Sequence, residues 1–109
     1  MSLYDYQGRG APLGKIVTGT KTITTAGTAV QVVTASTPID GVWVGADMSG
    51  GPLVVGDSAV LATIGSMQGV VIVPGNPSTY INVDNLNLLY VDAQSSGNKL
   101  CYAYLQPSY

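Results

Sequence analysis

Between Lys15 and Leu105 the chain is cut into short apolar runs by turn-forming residues about every 8–12 positions, and that spacing limits what it can fold into. In Thr37-Pro38-Ile39-Asp40-Gly41 the proline fixes φ and the glycine tolerates positive φ, so the chain can reverse between the runs at 30–35 and 42–47. Ser49-Gly50-Gly51-Pro52 does the same before Leu53, and Val73-Pro74-Gly75-Asn76-Pro77 closes the run at 70–73. Ser95-Ser96-Gly97-Asn98 separates runs at 88–92 and 99–105, which together read as a hairpin. Strands are expected near 15–18, 21–25, 29–35, 41–47, 53–56, 69–73, 79–84, 88–92 and 99–105. Residues 58–69, with Val60, Leu61 and Ile64, read as an excursion between strands, either a loop or a helical turn.

Composition agrees with a β-protein. Val, Thr and Gly dominate, seven Tyr accompany one Trp and no Phe, and the long helix formers are scarce: no Glu, and only Lys15, Lys21, Lys99 and Arg9 as bases. With 109 residues the expectation is one all-β domain, a single β-sandwich or jelly-roll-like barrel of about eight short antiparallel strands. Residues 15–109 form that domain in this reading. Residues 1–14 mix Gly8, Gly10, Gly14 and Pro12 with Tyr4 and Tyr6, show no alternation, and read as an extended N-terminal arm.

Several strands are apolar on both faces. Leu100, Tyr102 and Tyr104 alternate with Cys101, Ala103 and Leu105; Val42 and Val44 oppose Trp43; Leu89 and Val91 oppose Tyr90. Such strands occur where the second face is covered too, by a sheet, a loop or a neighbouring subunit.

Charge narrows function. Six Asp against four bases give a formal net charge of −2, and no basic stripe can be assembled to offset phosphates, so nucleic acid is not an expected partner. So few charges are a weak solubility device for a free monomer and point to life in an assembly. No charged leader precedes an apolar run, and no stretch approaches the roughly 18 residues of a membrane span, so a soluble protein made in a cytosol is expected.

Catalytic chemistry finds little to work with. Histidine is absent, which removes the commonest general base and transition-metal ligand and forbids Ser–His–Asp or Cys–His arrangements. Cys101 is the single cysteine, lies mid-strand among apolar neighbours and reads as a small packed residue, and zinc sites are excluded by count. Asp57, Asp84 and Asp92 sit at strand ends, where backbone hydrogen bonding explains them better than a glycosidase pair. Asp84, Asn85, Asn87 and Asp92 offer oxygen atoms for calcium without any recognised ligand spacing. Gly8-Arg9-Gly10 does not complete a dinucleotide fingerprint, and Asn76-Pro77-Ser78 has proline in the position glycosylation forbids. The expectation is a non-enzyme without cofactor or metal. Candidate contact residues are instead Tyr4, Tyr6 and Arg9 of the arm, Trp43, and Tyr109, because aromatic side chains and Arg supply stiff contact area with polar tips.

The segments Leu53-Val54-Val55-Gly56-Asp57-Ser58, Gly69-Val70-Val71-Ile72-Val73-Pro74-Gly75, Ile81-Asn82-Val83-Asp84-Asn85-Leu86-Asn87-Leu88-Leu89-Tyr90-Val91-Asp92-Ala93 and Lys99-Leu100-Cys101-Tyr102-Ala103-Tyr104 follow one another across residues 20 to 105. This succession resembles small accessory virion proteins of tailed bacteriophages. It departs from them at Met67-Gln68 and in its aromatic arm. The resemblance implies a capsid decoration or cement protein, located in the virion and bound to the major capsid protein or another virion protein as a homo-oligomer, often a trimer. The alternative is a receptor- or carbohydrate-binding module of a tail or head fibre, with Trp43 or tyrosines as stacking platforms. A small hydrolase with paired aspartates is a third reading, and it requires two carboxylates about 5–10 Å apart in an open cleft.

Overall fold

The computed structural model describes residues 14–106. It contains eight strands: β1 (Lys15–Thr22), β2 (Val30–Gln31), β3 (Val42–Ala46), β4 (Leu53–Gly56), β5 (Val70–Ile72), β6 (Thr79–Ile81), β7 (Tyr90–Ala93) and β8 (Lys99–Gln106). A single 3-10 turn, Leu86–Leu88, precedes β7. The strands form two four-stranded sheets ordered β1-β8-β3-β6 and β2-β7-β4-β5, with every pairing antiparallel. β1 pairs with β8, β2 with β7, β3 with β6 and β4 with β5. These nested partners describe one long hairpin rolled up on itself, the strand order of a jelly roll. Among the described residues no helix is long and apolar enough to cross a membrane.

The expected all-β sandwich is the fold found, with local differences. The runs at 15–18 and 21–25 merge into one strand that ends at Thr22, because Gly19 continues the register between Val17 and Lys21 instead of breaking it. The 29–35 run forms a strand only at Val30 and Gln31, with one further bond from Val32 N–H to the Leu89 carbonyl (2.9 Å) before the chain leaves the sheet. The runs flanking Ser95-Ser96-Gly97-Asn98 do not form a hairpin, since β7 and β8 belong to different sheets. The turn bonds to a third segment: Gly97 N–H donates to the Ile23 carbonyl (2.8 Å) and Ile23 N–H to that of Asn98 (2.9 Å), which directs the chain across the sandwich. Gly14, assigned to the arm, already lies against Gln106; a Cβ there would stand 2.6 Å from the Gln106 carbonyl oxygen. Residues 1–13 lie outside the described residues.

One core joins the sheets. Val42, Val44 and Leu100 from the first meet Leu53, Val55, Ile72 and Val91 from the second, with Ile23, Ile39 and Leu86 closing the ends. The β2-β7-β4-β5 sheet is covered on its other face as well. Residues 58–69 form a loop there, pinned by reciprocal backbone bonds between Leu61 and Gln68 (2.9 and 3.1 Å), and its Val60 and Ala62 pack on Val54, Tyr90 and Ala29. Asp92 holds this loop down. It is fully buried, and its Oδ2 accepts from Ala62 N–H (2.8 Å) while Oδ1 accepts from Gly27 and Ala93 N–H (both 2.9 Å). Gly69 ends the loop at φ +125°, where a Cβ would stand 2.6 Å from Val54 Cγ1 and 2.8 Å from the Val55 carbonyl oxygen.

Asp92→Ala strands three inward backbone donors and is expected to cost about 2–4 kcal/mol in urea unfolding. Gly69→Ala, which adds left-handed strain to a steric clash, is expected to cost about 2 kcal/mol or more in the same measurement.

Candidate functional site

The two sheets differ in what covers them. The loop at 58–69 packs on Val54 and Tyr90 of the outer face of β2-β7-β4-β5 and leaves Val71 of β5 44% exposed, whereas on the outer face of β1-β8-β3-β6 four large apolar residues, Ile16, Trp43, Tyr80 and Leu105, are exposed. Alternation sends Val42, Val44, Leu100, Tyr102 and Tyr104 inward, and register therefore aligns their neighbours in rows across the outer face. One row runs Thr18, Ala103, Trp43, Tyr80; the next runs Thr20, Cys101, Gly45; Ile16 and Leu105 pair at the end where residues 1–14 join. Ile16 is 71% exposed and Leu105 59%.

Trp43, one of the expected contact residues, is 52% exposed. Val42 and Val44 on either side of it face the core, and the period of two turns Trp43 to the opposite side of the sheet. It packs against Tyr80 across the strand pair, ring centroids 4.9 Å apart and planes tilted by 57°. Tyr80 is fixed in turn: its hydroxyl donates to the Asp40 carbonyl (2.6 Å), and its ring end occupies the space beside Gly41, where any Cβ would collide with it. The glycine at φ +95° thus makes the turn and also leaves room for the aromatic pair.

Beside this pair runs a shallow groove of about 610 Å³. Gly45, Cys101 and Ala103 form its floor, Trp43 one wall, and Thr18, Thr20, Asn76 and Ser78 contribute neutral polar groups around it. Among the described residues, Cys101 and Tyr102 are the only titratable groups in the lining, and no Lys, Arg or Asp takes part. Gly45 keeps the floor open, since a Cβ there would meet only Ser78 Oγ, at 3.6 Å.

Of the five expected contact residues, Trp43 is placed in this surface, and Tyr4, Tyr6, Arg9 and Tyr109 lie outside the described residues. Tyr80, Asn76 and Ser78 were not anticipated. Alternation in Thr79-Tyr80-Ile81 signals an outward Tyr80, but its pairing with Trp43 depends on a register between strands far apart in sequence.

The aspartates serve the backbone. Asp57 Oδ1 accepts from Ala59 N–H (2.9 Å) in its turn, Asp92 is committed to three amides, and Asp84 is exposed. Asn85, a candidate calcium ligand, caps the 3-10 turn through Asn87 N–H (3.1 Å) and also ties down Thr37 N–H (2.9 Å) and Ser36 Oγ (2.9 Å). Among the described residues no three His, Cys, Asp or Glu side chains converge as metal ligands. No protein-family model matches the chain, and no curated protein or solved structure matches it either.

Tyr102 lies over Gly19 on the neighbouring strand and stacks with Tyr104, with centroids 6.3 Å apart. Burial first, and the neighbouring Tyr104 second, push its phenol above the ordinary value of 10.0. The folded protein therefore holds this proton more tightly than the unfolded chain. The associated stability is complete below about pH 10 and is lost as pH rises through the folded value. Chemical denaturation from about pH 8 to 11 is expected to give a shallower alkaline loss of stability for Tyr102→Phe than for the unaltered chain.

Proposed function

We propose that this chain is a non-enzymatic structural protein of a phage particle, a decoration or cement protein that binds the capsid surface as an oligomer, with a trimer favoured, and stabilises the lattice. The observation that carries this reading is the unequal cover of the two sheets. The chain's own loop packs on one outer face, and the other exposes Ile16 and Leu105 at the end where the arm joins, with Trp43 and Tyr80 set apart beside the groove. Aromatic and aliphatic groups on a surface with few charges suit an interface better than a free monomer. The pattern shared with accessory virion proteins supports the same reading, and the jelly roll, a fold of capsid and lectin domains, is compatible with it without selecting it.

In this reading residues 1–14 reach from the Ile16–Leu105 end and anchor the domain on the major capsid protein or another virion protein through Tyr4, Tyr6 and Arg9. Tyr109 is assigned to the same contact in this reading. Each contact of standard size buries about 1,200–2,000 Å², and several contacts per oligomer slow dissociation. A second reading, a carbohydrate- or receptor-binding module, is favoured by one feature: an exposed indole beside a groove edged with hydroxyl and amide groups.

Deleting residues 1–14 is expected to leave the circular dichroism spectrum of the sandwich in place while weakening co-sedimentation with capsids assembled without this protein. Ile16→Asp is expected to weaken it in the same direction. Undiminished capsid binding by both variants rules out attachment through the arm.

A further inference from the structure

We propose that the groove beside Trp43 is a binding site for a neutral saccharide chain. It deepens the second reading above and is independent of capsid attachment, which is assigned to the Ile16–Leu105 end and the arm.

The groove's own chemistry selects this ligand class. Its wall is an indole face held at a fixed tilt by Tyr80, itself hydrogen-bonded to the backbone at Asp40, so the platform is preorganised. The negative face of an indole attracts the partly positive C–H groups on the apolar face of a pyranose ring. Around it stand Thr18, Thr20, Asn76 and Ser78, whose side chains take part in none of the hydrogen bonds found among the described residues. They offer neutral donors and acceptors of the kind sugar hydroxyls need.

Competing ligands fit less well. A nucleic acid also stacks on aromatics, but it needs cationic side chains along its phosphates, and among the described residues the lining has none. The same lack of charge leaves acidic glycans and charged peptides without a partner. A volume of about 610 Å³ lies within the range of small-ligand sites, and the open, shallow form suits a chain passing over the sheet better than an enclosed small molecule.

Trp43 is the single tryptophan of the chain, so intrinsic tryptophan fluorescence reports on this site alone. The test is a titration of the full chain with chitohexaose, maltohexaose, cellohexaose and galactose- and mannose-terminated oligosaccharides, alongside a broad glycan array, with heparin as the anionic control. The expected result is a saturable change in Trp43 fluorescence with at least one neutral saccharide and none with heparin. Array and calorimetric binding should then fall by about tenfold or more in Trp43→Ala, which loses the platform. Gly45→Val should lose binding with an unchanged fold, because its Cβ has room and its methyl groups fill the floor. Deleting residues 1–14 should leave saccharide binding unchanged, which separates this site from capsid attachment. Absence of any neutral glycan ligand, or glycan binding that survives both Trp43→Ala and Gly45→Val, overturns the proposal. So does a drop in oligomer size by light scattering in Trp43→Ala, which would show a second copy covering the groove.

Discussion

The packing of Val42, Val44 and Leu100 against Leu53, Val55 and Val91 is the contact on which everything else rests. Two twisted sheets can bury those side chains only if each strand keeps strict alternation, and alternation then decides what every strand shows on its other side. In β4 and β7 the other side is Val54, Tyr90 and Asp92, and the loop at 58–69 closes over it. In β3 and β8 it is Trp43, Cys101, Ala103 and Leu105, of which Trp43 and Leu105 are more than half exposed. The same rule that makes the core thus leaves one sheet of the sandwich with an apolar exterior.

Much of this was legible in the residues. Turn chemistry and β-branched content gave the fold class and the approximate position of most strands, and the alternation at 42–44 and 100–105 separated the inward from the outward side chains. What failed was long-range. The Ser95–Asn98 turn looks like a hairpin because local signals cannot tell a turn within a sheet from one crossing between sheets; the deciding bonds are to Ile23. The outward side of Trp43 follows from Val42 and Val44 claiming the inner face, but Tyr80 joins it through a register no local window contains.

The residues that carry the resemblance to virion proteins turn out to have structural work of their own. Asp57 caps its turn, Asn85 ties the 3-10 turn to residues 36 and 37, Asp92 fastens the covering loop, and Tyr102 fills the space over Gly19. These positions define a way of folding and leave the chemistry of contact to the outward residues between them. A groove lined by Trp43, Asn76 and Ser78 can therefore change its ligand without disturbing the sandwich, which is how one architecture comes to serve unrelated tasks.

β8, the last strand described, is inserted between β1 and β3, and among the described residues β1 pairs with no other strand. During synthesis, then, β1 emerges first and waits unpaired until nearly the whole domain has been translated. β3 and β6 can pair earlier, but the first sheet reaches its full width only once β8 is made. Slow closure of this kind is the kinetic counterpart of pairing sequence-distant strands.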